Sequence, residues 1–71
     1  MSASLEDHIQ VFLEENGRAS SMDIKEEMTG LGYSKYVVPE ALRNLKKKGK
    51  VKQLEDNNGN PVNKYEAITD V

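Results

Sequence analysis

The chain contains no cysteine. That excludes a disulfide frame, a thiolate zinc site and a cysteine nucleophile, and it fits a reducing compartment. Long apolar runs are missing as well. Nothing approaches the roughly 20 residues that cross a bilayer, and the N-terminus has no signal-peptide apolar stretch. The expectation is an intracellular protein, cytoplasmic or nuclear, without a membrane partner. Aromatic residues are few, three tyrosines and one phenylalanine, which leaves little for a platform that stacks unpaired RNA bases. His8 is the only histidine; it lies among Glu6, Asp7 and Glu14, and a metal site there would need further ligands from distant segments, which nothing in the pattern shows. No Ser-His-Asp spacing, glycine phosphate loop or paired-carboxylate cleft is evident in so small a body. The expectation is no enzyme, no metal and no cofactor.

What is present is charge, unevenly spread. Seventy-one residues make one domain, residues 1–71, with a formal net charge of −2. A chain this short buries only about 60% of the surface its unfolded form exposes, so each apolar position counts. Residues 1–32 carry two basic and seven acidic side chains, a net −5, whereas residues 33–71 carry eight basic and five acidic ones, a net +3. Local field rather than net charge steers a polyanion. The chain is a dipole.

Ser4 with Asp7 three residues on has the form of a capping box. Leu5, Ile9, Phe12 and Leu13 then recur at the spacing of one helical face, and Asn16-Gly17 ends the helix. Arg18-Ala19 has room only for a bridging strand. Ser20 with Asp23 repeats the capping signal for a second helix, with Ile24, Met28 and Leu31 as its inward side. A glycine turn, "TGLGYS", follows. Ser34 is a candidate N-cap for a third helix with the stripe Val38, Ala41, Leu42 and Leu45, stopping at Gly49. Pro39 requires either an irregular first turn or a regular helix that starts near Val38 with proline at its first position. "KVKQLE" and "PVNKYEAI" are β-rich runs around "DNNGN", where Asn58-Gly59 signals a two-residue hairpin. Val51 and Leu54 cannot both face inward there without a bulge or a change of face.

That order, with "SSMDIKEEM", the glycine turn and "EALRNLKKKGKV" before a terminal hairpin, resembles the winged helix-turn-helix family over nearly the whole chain. The resemblance implies an α+β fold of three helices, a short strand after the first, and a C-terminal β-hairpin wing. It also implies that the third helix lies in the major groove of double-stranded DNA with the wing on the backbone. A regulator of transcription or replication, acting as a homodimer, is the expected role. Members of this fold also serve as protein-interaction modules, since fold does not fix function. A narrower likeness is to the Z-alpha domains that bind left-handed nucleic acid. There Lys35 fits the helix series, Pro39 and Arg43 depart from it, and Pro61 and Tyr65 match the wing proline and aromatic.

On a helical wheel the side opposite the apolar stripe presents Tyr36, Glu40, Arg43 and Lys47, flanked by Pro39 and Asn44. Arg43 suits guanine O6/N7 and Asn44 adenine N6/N7, although Asn44 sits on the shoulder; Tyr36 suits stacking or a phosphate. The alternative is a plain solvated face. Lys46, Lys47, Lys48, Lys50 and Lys52 suit phosphate contact, or else solubility and the helix dipole. Successive helical residues diverge by about 100°, so these lysines cannot all face one duplex, and Lys47 is the best placed. Lys35 and Arg18 stand at the flanks. Ser21 opens the second helix, where free N–H groups attract phosphate. Asn60 and Lys64 are the wing's candidates, and Tyr65 is either wing aromatic or core. Glu55 and Asp56 oppose DNA contact along the wing's stem. The acidic first half is either the solvent side or a docking surface for a protein partner, with Val11 a candidate dimer contact.

Overall fold

A computed structural model describes residues 4–69 and holds three helices and one three-stranded antiparallel sheet, so the α+β class is as expected. Asp70, one of the acidic residues of the second half, lies outside the described residues. Helix α1 spans Leu5–Asn16. Its capping box forms: Ser4 Oγ accepts the Asp7 N–H at 3.2 Å, and Asp7 Oδ2 accepts the Ser4 N–H at 3.1 Å. Two otherwise unpaired donors of the first turn are thereby satisfied. Ile9 and Leu13 are buried, and Leu5 and Phe12 pack half-buried beside them.

Strand β1 covers Arg18–Ser20 and α2 covers Ser21–Gly30, capped by Ser20 Oγ on the Asp23 N–H at 3.1 Å. Ile24 and Met28 are fully buried, but Leu31 is 51% exposed and does not belong to the inward side. The helix has already ended at that point. Gly32, at φ +100°, turns the chain so that the Tyr33 N–H reaches the Met28 carbonyl and the Gly32 N–H the Thr29 carbonyl. This closing motif carries the residue after the glycine back over the last turn. Tyr33 therefore packs on the core in place of Leu31.

A 3-10 turn, Lys35–Val37, leads into α3, Val38–Lys47. Ser34 caps the short turn through the Tyr36 N–H, not the α-helix itself. Pro39 is second in α3, where no N–H is needed, so both expected remedies occur together: an irregular first turn and a late helix start. Val38, Ala41, Leu42 and Leu45 are buried as the stripe requires. Gly49, at φ +72°, closes the helix, with the Lys50 N–H on the Leu45 carbonyl.

Strands β2 (Val51–Glu55) and β3 (Pro61–Ala67) form the hairpin, and β3 is central because β1 pairs with its other edge. Its loop is not the expected two-residue turn. The Gly59 N–H bonds the Asp56 carbonyl, the Asp56 N–H bonds the Asn60 carbonyl, and no residue but glycine has positive φ. A two-residue Asn-Gly turn needs positive φ at asparagine too; here only Gly59 (φ +81°) supplies it, at the end of a three-residue loop. The conflict between Val51 and Leu54 resolves as an irregularity in β3. Gln53 pairs with Tyr65 and Glu55 with Pro61, so Leu54 alone faces three residues of β3. Val51 stays in the core, and Leu54 lines a cleft on the opposite face of the sheet.

Candidate functional site

The register sorts the sheet's side chains into rows. Arg18, Glu66 and Lys52 stand side by side on the face turned from the helices; Ala19, Tyr65 and Gln53 stand on the face turned toward them. The outer row is an ion-paired ladder. Arg18 Nε donates to Glu66 Oε2 at 3.0 Å, and Lys52 Nζ lies 3.4 Å from Glu66 Oε1. The Arg18 bond, with help from Lys52 and against some desolvation, holds the Glu66 carboxyl below its ordinary range.

The inner row supports α3. Lys46 Nζ donates to Gln53 Oε1 at 2.9 Å, and Gln53 Nε2 donates to the Val62 carbonyl at 2.9 Å. One amide thus ties the end of α3 to the irregular stretch of β3. Tyr65 packs half-buried on the core, and it also lines a cleft.

That cleft, of about 350 Å³, is lined by Ser21, Lys25, Pro39, Arg43, Lys46 and Tyr65 above Leu42. A second, of about 460 Å³, lies alongside and shares Lys25 and Pro39; Met22, Lys35 and Tyr36 complete its main walls, with Glu26 at its edge. The fold therefore brings Ser21, Lys35, Tyr36, Pro39 and Arg43 to one continuous surface. Lys47, one turn past Arg43, is exposed, and Asn44 is half-buried at the shoulder. Tyr36 is 80% exposed, with the Lys35 ammonium 5.3 Å from its ring centre.

Other candidates are not brought there. Arg18 and Lys64 line a cleft on the far face of the sheet, with Leu54, Glu55 and Asp56. Asn60 is at the hairpin loop, its N–H on Asp56 Oδ1. Among the lysine cluster, Lys48 pairs with Glu6 of α1 at 2.7 Å and Lys52 with Glu66, so two of the five are neutralised by their own chain. No ion pair involves Arg43, Lys25, Lys35 or Lys47 among the described residues.

Met22, Lys25 and the Lys46–Gln53 link were not singled out from sequence. Lys25 had a usable signal: four residues after Ser21, it shares that residue's side of α2. Met22, one residue past Ser21, had none, because its role depends on where the 3-10 turn packs. His8 rests against Tyr33, ring centres 5.7 Å apart, and among the described residues no group of three His, Asp or Glu is arranged to hold a metal ion. No helix of the described residues is long and apolar enough to cross a membrane. Comparison of the chain with protein-family models, with curated proteins and with solved structures gives no match.

Proposed function

We propose that the chain is a winged helix-turn-helix protein that binds double-stranded DNA as a small regulator of transcription or replication. In this reading α3 enters the major groove and the β2–β3 hairpin is the wing on the backbone. The observation that carries it is the uncovered flank of α3. Tyr36, Pro39, Arg43 and Lys47 stand in solvent, while buried aliphatic residues brace the helix from behind. A four-residue connection containing Gly32 joins α2 to the 3-10 turn, the length and composition a helix-turn-helix uses.

Roles follow from chemistry. Arg43 has the planar fork for guanine O6/N7. Lys25, Lys35 and Lys47 neutralise phosphates, and Ser21 offers the first turn of α2 to the backbone. Tyr36 and Pro39 meet the groove at the start of α3. Asn44 takes a phosphate from its shoulder, and Asn60 touches the backbone from the loop. Arg18 and Lys64 lie on the far face of the sheet and have no part in it. One module buries little surface on DNA, so the working unit is a homodimer with half-sites about 34 Å apart.

The test is affinity for random-sequence duplex as salt is raised. Each neutralised phosphate steepens the log–log dependence by about 0.9, so the phosphate contacts of Lys25, Lys35 and Lys47 give a slope of roughly −3 per protomer. Absence of binding even at the lowest salt sinks the proposal.

A second reading, a protein-interaction module, is favoured by a different surface. A groove of about 440 Å³ between α1 and α2 is lined by Phe12 with Asp23, Glu26 and Glu27, three acids against the one base Arg18, which suits a basic segment with an apolar anchor. The same salt series separates the two readings.

A further inference from the structure

Among the described residues Met22 and Tyr36 are the two most exposed large apolar side chains, 66% and 80%, and both line one cleft with Pro39. Exposure of that kind at adjoining positions needs an occupant, because apolar surface is costly to leave in water. The ring of charge around the cleft narrows the choice. Lys25 and Lys35 line it and Arg43 lies beyond Pro39, with Glu26 the only acid among the lining residues. Such a rim suits a polyanion. Yet phosphate uses only part of this lining, since the Met22 thioether, the Tyr36 ring and Pro39 offer it apolar surface, and the Thr29 hydroxyl already donates to the Glu26 carbonyl. A polyanion with something apolar to offer is required.

In the major groove the base edges offer one apolar group, the C5-methyl of thymine. Resting on the DNA reading above, we propose that the cleft of Met22, Tyr36 and Pro39 receives a thymine methyl, next to the base that Arg43 reads. The position fits: Pro39 in the first turn of α3 and Tyr36 in the 3-10 turn before it stand at the end of α3 that contacts base edges when a recognition helix enters the groove, and Met22 reaches the same cleft from the first turn of α2. Pro39 fixes its own φ there, and the Lys35 ammonium lies 5.3 Å from the Tyr36 ring centre. A methyl taken out of water between these walls is worth about fourfold in affinity.

The probe is an alternating TG/CA duplex of about 24 base pairs, compared with the same duplex carrying deoxyuridine for thymidine. Removing the methyl leaves every hydrogen-bonding edge in place. The thymidine duplex should bind about fourfold more tightly, and Met22→Ala and Tyr36→Ala should each bring the ratio toward one. A duplex with 5-methylcytosine in the CA strand shows whether any major-groove methyl suffices. Equal affinity of the first two duplexes, with a steep salt dependence retained, overturns this inference and leaves DNA binding standing. Failure of both to bind at low salt overturns the two together. A ratio that persists unchanged in both variants assigns the methyl to another part of the surface and also overturns the inference.

Discussion

Two cationic regions of this small molecule are built from the same residue types and end up chemically different. On the outer face of the sheet and behind α3, Arg18, Lys52 and Lys48 are answered by Glu66 and Glu6. Along the outward flank of α3, Arg43 and Lys47 have no such partner among the described residues. The first set holds parts of the chain together: the bridge from Lys48 links residues far apart in sequence, and the Glu66 ladder spans all three strands. The second set holds no parts of the chain together by ion pairs among the described residues. Charge density in the sequence does not distinguish them; partner geometry does.

The largest way to break this contrast is to remove what braces the uncovered flank. Leu45 is 1% exposed, and Leu45→Ala should cost about 2–5 kcal/mol through lost burial and the cavity left behind. A domain of this size has roughly that much to lose, so circular dichroism should report a largely unfolded chain at room temperature. Tyr36→Ala is the matched control, since an 80% exposed ring contributes little to stability. A melting temperature that falls as far for Tyr36→Ala as for Leu45→Ala would mean the flank is structural and not free.

Next in size is the loss of base reading. Arg43→Ala should cost about 1–3 kcal/mol of affinity on preferred duplexes and flatten the preference among sequences. Lys47→Ala should weaken all duplexes alike and reduce the salt slope by about 0.9. Lys48→Ala sharpens the comparison. Its ammonium already has Glu6 at 2.7 Å, so stability should fall by at most about 1 kcal/mol while duplex affinity hardly moves. Duplex titrations of the three variants decide it: an equal effect of Lys47→Ala and Lys48→Ala erases the distinction between paired and unpaired lysines.

The sequence makes part of this visible and hides the rest for a physical reason. Helical periodicity and caps are local, so α1, α2 and the stripe of α3 could be read directly, as could the capping box at Ser4 and Asp7. The outward flank of α3 followed from the same wheel. Misjudgements came where two segments decide together. Leu31 looked inward on a helix that Gly32 had already ended, and Tyr33 took its place. Asn58-Gly59 resembled a tight turn, but Asp56 captures the amides beyond it and sets a longer loop. The pairing of Arg18 with Glu66 was hidden for the same reason, since the two lie 48 residues apart. Lys25 could have been placed with Ser21 from its four-residue spacing on α2, but Lys46 and Met22 join the surface only through packing of α2, α3 and the sheet, which no single-segment pattern contains.

The smallest expected effect concerns the hairpin's own acid, and it tests whether that charge is spent within the chain or directed outward. Asp56 Oδ1 accepts the N–H groups of Asn60 and Asn58, both at 2.9 Å. These bonds, Asn60's first, hold its carboxyl below the ordinary value of 3.8. A carboxyl whose folded pKa is depressed contributes stability that is fully present above the unfolded value and lost as pH falls through the folded one. The loop should therefore be indifferent to pH near neutrality and loosen only below about pH 4. The Asn58 and Asn60 amide resonances, followed by NMR down to about pH 2, should move together with the Asp56 carboxyl. Asp56→Asn keeps an accepting oxygen and should abolish that coupled titration while leaving the loop closed at neutral pH. Should Asp56→Asn instead raise duplex affinity as strongly as Arg43→Ala lowers it, the aspartate's charge acts on the ligand rather than on the turn. The hairpin tip would then belong with the uncovered flank of α3 and not with the self-satisfied face of the sheet.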